Sequence, residues 1–143
     1  MKKYGASMED LVDVWVKQGR SLLEYAVPVW GGAITLKEED MIEACQKAAL
    51  AVILGDQYKS YSQGLRKTGL SSLKSRRALI LSRFSIKTFQ NEKYKNWFEA
   101  ANHPQVNTRQ VPRILKPVRY NTNALGRSTI AMMTEIINDE LTN

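Results

Sequence analysis

The sequence predicts an all-α protein, a compact bundle of about five helices with a basic irregular arm and a C-terminal amphipathic helix. Apolar residues recur at three- and four-residue spacing in several segments, as they do along one face of a helix. Most of these segments begin at a Ser or Thr that suits a helix N-cap. No convincing run of alternating apolar and polar residues favours a strand. We expect three regions: a helical domain over residues 1–100, the arm over 101–127 and the last helix over 128–143.

The first helix is predicted to run from Ser7 to about Ala26. Ser7 and the residue three positions later, Asp10, match a capping arrangement in which each side chain bonds the backbone of the other. Gly19 lies in the middle and weakens the helix locally. Pro28 is predicted to end it, because a proline ring is incompatible with a helix interior.

The second helix is predicted after Thr35, which forms a capping box with Glu38, and it ends at Gly55. Its apolar positions predict a continuous core face: Met41, Ile42, Cys45, Ala48, Ala49, Val52 and Ile53. Cys45 is the only cysteine of the chain, which excludes an internal disulfide and a multi-cysteine zinc site. We interpret it as a small core residue.

Three more helices are predicted downstream. A short one follows Ser60 and ends at Gly69, a longer one starts at residue 71 or 72 and ends near Phe89, and a fifth covers 93–100. The stretch 105–127 has two internal prolines, no apolar period and only positive charges, so we expect an extended or poorly ordered basic arm. The final stretch, 128–141, is an amphipathic helix that needs a partner face in this chain or another.

Charge is distributed unevenly along the chain. Residues 1–58 carry a net charge of −3, residues 59–134 carry +13 and the last nine carry −3, within a total of +7. Acidic residues are almost absent for 76 residues, which favours a polyanionic partner over an ordinary lysine-rich surface. No apolar run is long enough to span a membrane and no apolar signal core follows the basic N-terminus. We therefore expect an intracellular protein, nuclear or cytoplasmic and not secreted.

One motif points to a family. The segment from Arg20 to Trp30, read as RSLLEYAVPVW, resembles the segment that follows the palm in reverse transcriptases of LINE-type (non-LTR) retrotransposons. The stretch 42–50 resembles a conserved helix of the same family, and 61–77 resembles its pattern of Tyr, Leu, Gly-Leu, Leu and Arg-Arg. The likeness extends to the aromatic pair at 97–98 and becomes loose beyond it.

The resemblance implies a helical, thumb-like domain over residues 1–100 that lies beside a template–primer duplex. It does not imply polymerase activity for this chain, because the sequence contains no Asp-Asp pair of the kind that holds the palm metal ions. The single histidine, His103, precedes a proline and suggests a surface turn rather than a catalytic base. We expect no enzyme activity, no cofactor and no metal, unless the chain is a fragment of a longer polymerase.

The candidate binding residues are basic. If the fourth helix buries Leu73, Ile80 and Phe84, then Arg76, Arg83 and Lys87 share one exposed stripe that follows phosphates without identifying bases. Reversing the charges of Arg76 and Arg83 is then expected to weaken binding and its salt dependence. The full predicted set is Arg66, Lys67, Lys74, Arg76, Arg77, Arg83, Lys87, Arg109, Arg113, Lys116, Arg119, Tyr120 and Arg127.

Two functional hypotheses remain open at this point. The first is a non-catalytic nucleic-acid-binding module, derived from a retrotransposon reverse transcriptase, that grips an RNA or RNA/DNA backbone. The second is a domesticated structural or assembly subunit that binds protein or structured RNA in a larger complex, with a protein partner on the helix from Ser128 to Leu141. A third, bland interpretation of the basic stripe is a solvated helix face.

Overall fold

The computed structural model describes residues 5–101, 114–119, 126 and 128–142, and this part of the chain is all-α. The predicted fold class is confirmed. Short connections join the helices: a π-helical turn at Trp15–Arg20 and 3₁₀ turns at Gly55–Gln57 and Glu92–Trp97. The α-helices are α1 (Met8–Val14), α2 (Ser21–Leu23), α3 (Val27–Trp30), α4 (Leu36–Leu54), α5 (Tyr61–Thr68), α6 (Leu73–Gln90) and α7 (Thr129–Thr142).

The N-terminal helix begins as predicted but ends earlier. The reciprocal capping box between Ser7 and Asp10 is present at the start of α1. The helical path ends at Leu23, and Ala26 adopts a positive φ of 51°. The prediction that Pro28 ends this helix is wrong, because Pro28 lies in the first turn of α3, where its missing N–H costs no hydrogen bond.

The helix α4 has the predicted caps but not the predicted core face. Its Thr35–Glu38 capping box is present, and Gly55 with a φ of 55° ends it. Its buried residues are Gln46, Leu50, Ile53 and Leu54, whereas Met41, Val52 and Cys45 are exposed. The prediction of Cys45 as a core residue is therefore wrong. The helix carries apolar residues on several faces, and on the buried face the Gln46 amide nitrogen donates two hydrogen bonds.

The helices α5 and α6 agree with the prediction. Ser60 caps α5 and Gly69 ends it in the left-handed conformation. The helix α6 is 18 residues long, and its buried line runs through Leu73, Arg77, Leu81, Ser85 and Thr88. The expected burial of Ile80 and Phe84 is only partly right, because Phe84 is 39% exposed and Ile80 is half-buried.

The chain divides into two compact units. The first consists of the described residues within 1–26 and 34–77, and the second of those within 27–33 and 78–143. In the first unit, α4 packs against α1 and α5. The predicted boundaries at residues 100 and 127 stay a prediction.

The core of the second unit covers the terminal helix. Phe98, Leu115, Met133 and Ile137 form one buried cluster, with Phe89 and Met132 packed against it. The partner face that α7 needs therefore lies in this chain. The described part of the predicted arm, 114–119, also enters this core through Leu115, which is 3% exposed. The rest of the arm lies outside the described residues.

The segment after α6 differs in form from the prediction. A 3₁₀ helix over Glu92–Trp97 replaces the predicted helix over 93–100. Phe98 is extended so that its ring reaches the core, and Ala100 pairs with Leu115 in an isolated antiparallel bridge. Contacts distant in sequence thus override the local helical pattern.

Within the described residues, no helix combines the length and apolarity that crossing a bilayer demands.

Candidate nucleic-acid interface

The polar network of the first unit is centred on Glu43 of α4. Its carboxylate accepts hydrogen bonds from the backbone N–H groups of Leu73 (3.3 Å) and Lys74 (3.2 Å), the first residues of α6. Tyr61 donates its hydroxyl hydrogen to the same carboxylate. Gln46 Nε2 donates to the Tyr61 oxygen at 3.0 Å and to a backbone carbonyl at 2.9 Å. These contacts join α4, α5 and the start of α6. We therefore assign these side chains a role in holding the fold together and not in binding a ligand.

Arg76 is held by Glu24. Its Nη2 donates to Glu24 Oε2 at 2.9 Å, and its Nε donates to the other carboxylate oxygen. These hydrogen bonds raise the pKa of the Arg76 guanidinium above its usual value. The same carboxylate lies 3.7 Å from Arg20 Nε, where burial lowers the pKa of the Arg20 guanidinium. The expected exposed stripe through Arg76 is therefore wrong at this position, because a long-range partner engages the guanidinium.

Arg77 and Lys74 share a second carboxylate. Glu39 Oε1 lies 3.1 Å from Arg77 Nη2 and 3.1 Å from Lys74 Nζ, in ion pairs whose angles do not meet hydrogen-bond geometry. Arg77 is only 6% exposed. A buried, paired guanidinium offers no surface to a ligand, so placing Arg77 in an exposed binding set is wrong.

Arg83 and Lys87 differ from the arginines before them. Both are exposed, and their spacing of four residues places them on one face of α6 in the second unit. Neither forms an ion pair with any other residue that the structure describes. Glu140 accepts a hydrogen bond from Ser82, next to Arg83 in sequence, at 2.9 Å. Leu79 and Phe84, 44% and 39% exposed, lie beside these cations.

The other predicted basic residues are scattered. Arg66 and Lys67 are exposed in the last turn of α5, where positive charge suits the helix dipole, and Lys67 Nζ lies 3.4 Å from the Gln57 carbonyl oxygen. Lys116 pairs with Glu99 at 2.8 Å, an interaction that lowers the pKa of the Glu99 carboxyl. Arg119 is exposed. Four predicted site residues lie outside the described part of the chain: Arg109, Arg113, Tyr120 and Arg127.

An aromatic pair follows the exposed cations and was not among the predicted site residues. The rings of Tyr94 and Trp97 lie 4.9 Å apart between centroids, tilted by 52°. Trp97 is 48% exposed, and Lys93 and Lys95 are exposed beside it. The alternation of lysine with aromatic residues over 93–97 is the sequence signal that indicates this pair.

The described residues contain no group of three or more His, Cys, Asp or Glu side chains that could hold a metal ion. A cleft of about 340 Å³ in the first unit is lined by Leu36, Glu39, Asp40, Glu43, Ser72 and Lys74. Its two glutamates already bond α6 or its cations, so the cleft adds no free catalytic pair.

Comparison of the chain with family models, curated proteins and solved structures yields no match.

Proposed function

We propose that the chain is a non-catalytic nucleic-acid-binding module that grips a phosphate backbone through Arg83 and Lys87. One observation carries the proposal: α6 contains five cations and no acidic residue, and the described part of the chain neutralises only the first three. Like charges four residues apart on a helix destabilise it by roughly 0.2–0.5 kcal/mol. Arg83 and Lys87 repel each other and have no carboxylate partner among the described residues. They are therefore suited to bind an anionic group of another molecule.

The chemistry favours a backbone contact over base recognition. Guanidinium and ammonium groups bind phosphate oxygens of any sequence, which positions the strand but does not specify it. The excess of positive charge over residues 59–134 adds a long-range attraction to any polyanion. The backbone of an RNA or of an RNA/DNA duplex fits this surface.

The origin of the module is part of the proposal. The segment Arg20–Trp30 resembles a motif of LINE-type reverse transcriptases, and this likeness supports descent from the thumb-like region of such an enzyme. The absence of an Asp-Asp pair from the sequence supports a module without polymerase activity of its own. The alternative of an assembly subunit loses one argument, because α7 finds its partner face within the chain.

The proposal is tested by neutralising the two cations. In the double variant Arg83→Gln, Lys87→Gln, the affinity for a single-stranded RNA falls, because two phosphate contacts are lost. The slope of log affinity against log salt concentration falls in magnitude by roughly 1.4, since each single-strand phosphate contact contributes about 0.7. Fluorescence anisotropy of a labelled oligonucleotide, titrated at several salt concentrations, measures both quantities.

A matched control carries the same change in net charge. Lys37→Glu alters the charge by two units, as the double variant does, at an exposed position in the first turn of α4. We expect it to reduce affinity slightly and to leave the slope unchanged. Equal slopes for the two variants and the wild type contradict the proposed contact. Arg76 is excluded from the test because its substitution breaks the pair with Glu24.

A further inference from the structure

The short helix Glu92–Trp97, which follows α6 in the chain, presents an aromatic surface. Trp97 is nearly half exposed although tryptophan is among the largest apolar side chains, and the half-buried Tyr94 lies against it. Lys93 Nζ lies 5.7 Å from the centroid of the Tyr94 ring, a cation–π distance. The surface thus combines a half-exposed indole ring with positive charge.

The surrounding contacts hold this surface in place. Asn91 caps the 3₁₀ helix by accepting a hydrogen bond from the Lys93 N–H at 3.0 Å. At the other end, Phe98 is buried in the core and contacts Phe89 of α6 edge-to-face, with centroids 5.7 Å apart. Because Phe98 is anchored in the core, the backbone at Trp97 is held at the surface, and the Trp97 ring is restrained by its contact with Tyr94. A ring that is already ordered loses little entropy when a ligand stacks on it.

The basic face and the aromatic surface are close along the chain. Lys87 and Trp97 are ten residues apart, and helical, connecting and 3₁₀ segments of these lengths span at most about 22 Å. A strand of a few nucleotides covers this distance. One bound strand can therefore contact both features within the second unit.

We propose that Trp97, supported by Tyr94, is a stacking platform for an unpaired base, so that the module prefers single-stranded nucleic acid over a duplex. This inference rests on the proposed function. Aromatic faces beside a basic groove bind single strands because the bases of a single strand are free to stack on them. In a duplex those faces are occupied by neighbouring base pairs, and an aromatic ring has no access to them. Lys95 is paired with Glu92, but Lys93 has no carboxylate partner among the described residues, and its charge favours this anionic ligand over an apolar protein surface.

The test compares Trp97→Leu with Trp97→Phe in the full chain. Leucine keeps apolar packing but has no π face, whereas phenylalanine keeps a ring. We expect Trp97→Leu to weaken binding of a 12-nucleotide poly(U) RNA by roughly 5- to 140-fold, the range for the loss of one stacked base. We expect Trp97→Phe to retain most of the wild-type affinity for poly(U). Binding of a 12-base-pair duplex changes less than twofold in either variant.

Controls separate stacking from folding and from the backbone contact. Circular dichroism verifies that each variant is folded, and Val52→Ala removes an exposed apolar side chain of the first unit without affecting a ring. The stacking inference is overturned if Trp97→Leu binds poly(U) as the wild type does, if both probes weaken equally, or if phenylalanine gives no rescue. In those cases a reduced salt slope for Arg83→Gln, Lys87→Gln leaves the proposed function standing.

Two further outcomes would contradict both the stacking inference and the proposed function on which it rests. Wild-type protein that binds neither poly(U) nor the duplex overturns both the stacking platform and the proposed function. Binding to vesicles of anionic phospholipid that depends on Trp97, without binding to poly(U), assigns the surface to a membrane instead and overturns both as well.

Discussion

Single residues of one type have different roles on the same helix. Arg76 and Arg77 are adjacent, and each is held by a glutamate from a segment distant in sequence. Arg83, on the same helix, has no such partner among the described residues. The sequence predicted that α6 is basic, but composition alone could not predict which cations are neutralised. That depends on Glu24 and Glu39, which are 52 and 38 positions away from their arginines.

Tyr61 is the residue whose environment gives the clearest pH dependence. Burial raises the pKa of its hydroxyl above the usual value, and the Glu43 carboxylate, which accepts its hydrogen, acts in the same direction. A raised pKa means that the folded state prefers the neutral phenol. The stability that Tyr61 contributes is therefore fully present below about pH 10, the pKa of an unfolded tyrosine, and is lost as the pH rises further.

Tyr61→Phe is expected to lower the free energy of unfolding by roughly 1–2 kcal/mol, because a hydrogen bond to a charged carboxylate is lost. The difference from wild type stays constant between pH 7 and 9 and narrows above pH 10. Urea denaturation at a series of pH values measures it. Tyr58→Phe is the control, since no described residue hydrogen-bonds to the Tyr58 hydroxyl. A difference in the free energy of unfolding between wild type and Tyr61→Phe that widens above pH 10 contradicts the prediction.

Burial at single positions was predictable only in part. Cys45 and Gln46 are neighbours in sequence, and the apolar pattern placed Cys45 in the core. The structure buries Gln46 completely, and Tyr61 and a backbone carbonyl 25 residues away accept its amide hydrogens there. Hydropathy does not encode such partners, so a buried polar residue of this kind is not visible in a sequence pattern.

At the scale of elements, the π-helical turn Trp15–Arg20 depends on a close approach between two side-chain positions. A Cβ added to Gly19 would lie 2.3 Å from ring atoms of Trp15, far inside van der Waals contact. The sequence indicated only that Gly19 weakens the helix. The structure adds the reason for a glycine here, since the ring of Trp15 occupies the space of a side chain.

Gly19→Ala is therefore expected to destabilise the protein by about 1 kcal/mol. Alanine improves helix propensity by about 1 kcal/mol, but overpacking against a ring costs roughly 1–3 kcal/mol, so the clash dominates. In a Trp15→Ala background the clash is absent, and the same substitution becomes stabilising. A double-mutant cycle by urea denaturation yields the coupling. Identical effects of Gly19→Ala in the two backgrounds would falsify the proposed contact.

Helix starts were predicted well because caps are local. Ser7, Thr35 and Ser60 each bond a backbone N–H three residues later, and such a pattern is visible in the sequence. Elements that depend on distant contacts were predicted poorly. The conformation of the 3₁₀ helix Glu92–Trp97 and the burial of Leu115 both depend on the core around Met133 and Ile137. Those two residues lie much later in the chain.

At the scale of the whole molecule, charge is segregated along the chain. Residues 59–134 carry +13 within a total of +7, and in the described part of this stretch both carboxylates, Glu92 and Glu99, are already paired with lysines. The basic candidate site was thus predictable from charge as a region. The choice of Arg83 and Lys87 within that region was not, because the fold pairs Arg76 with Glu24 and buries Arg77 beside Glu39.

The proposed function predicts that a polyanion stabilises the folded chain. Free poly(U) at about 100 times its dissociation constant adds roughly 2.7 kcal/mol to the free energy of unfolding, since the ligand binds only the folded state. For a chain of this size the midpoint of thermal unfolding then rises by several degrees. Differential scanning calorimetry measures the shift. The shift in the unfolding midpoint should vanish in 1 M salt, where counterion release no longer favours binding. A shift that persists in 1 M salt contradicts an electrostatic contact.

The amide of Asn138 has a consequence for the order in which the chain assembles. Its Oδ1 accepts the Leu115 N–H at 2.8 Å and its Nδ2 donates to the Leu115 carbonyl at 3.0 Å, as a neighbouring strand would. The opposite edge of the segment bonds Glu99 and Ala101. Asn138 lies 23 residues after Leu115. During synthesis, residues 114–116 therefore have one edge unpaired until α7 leaves the ribosome, so the docking of this edge follows the synthesis of α7.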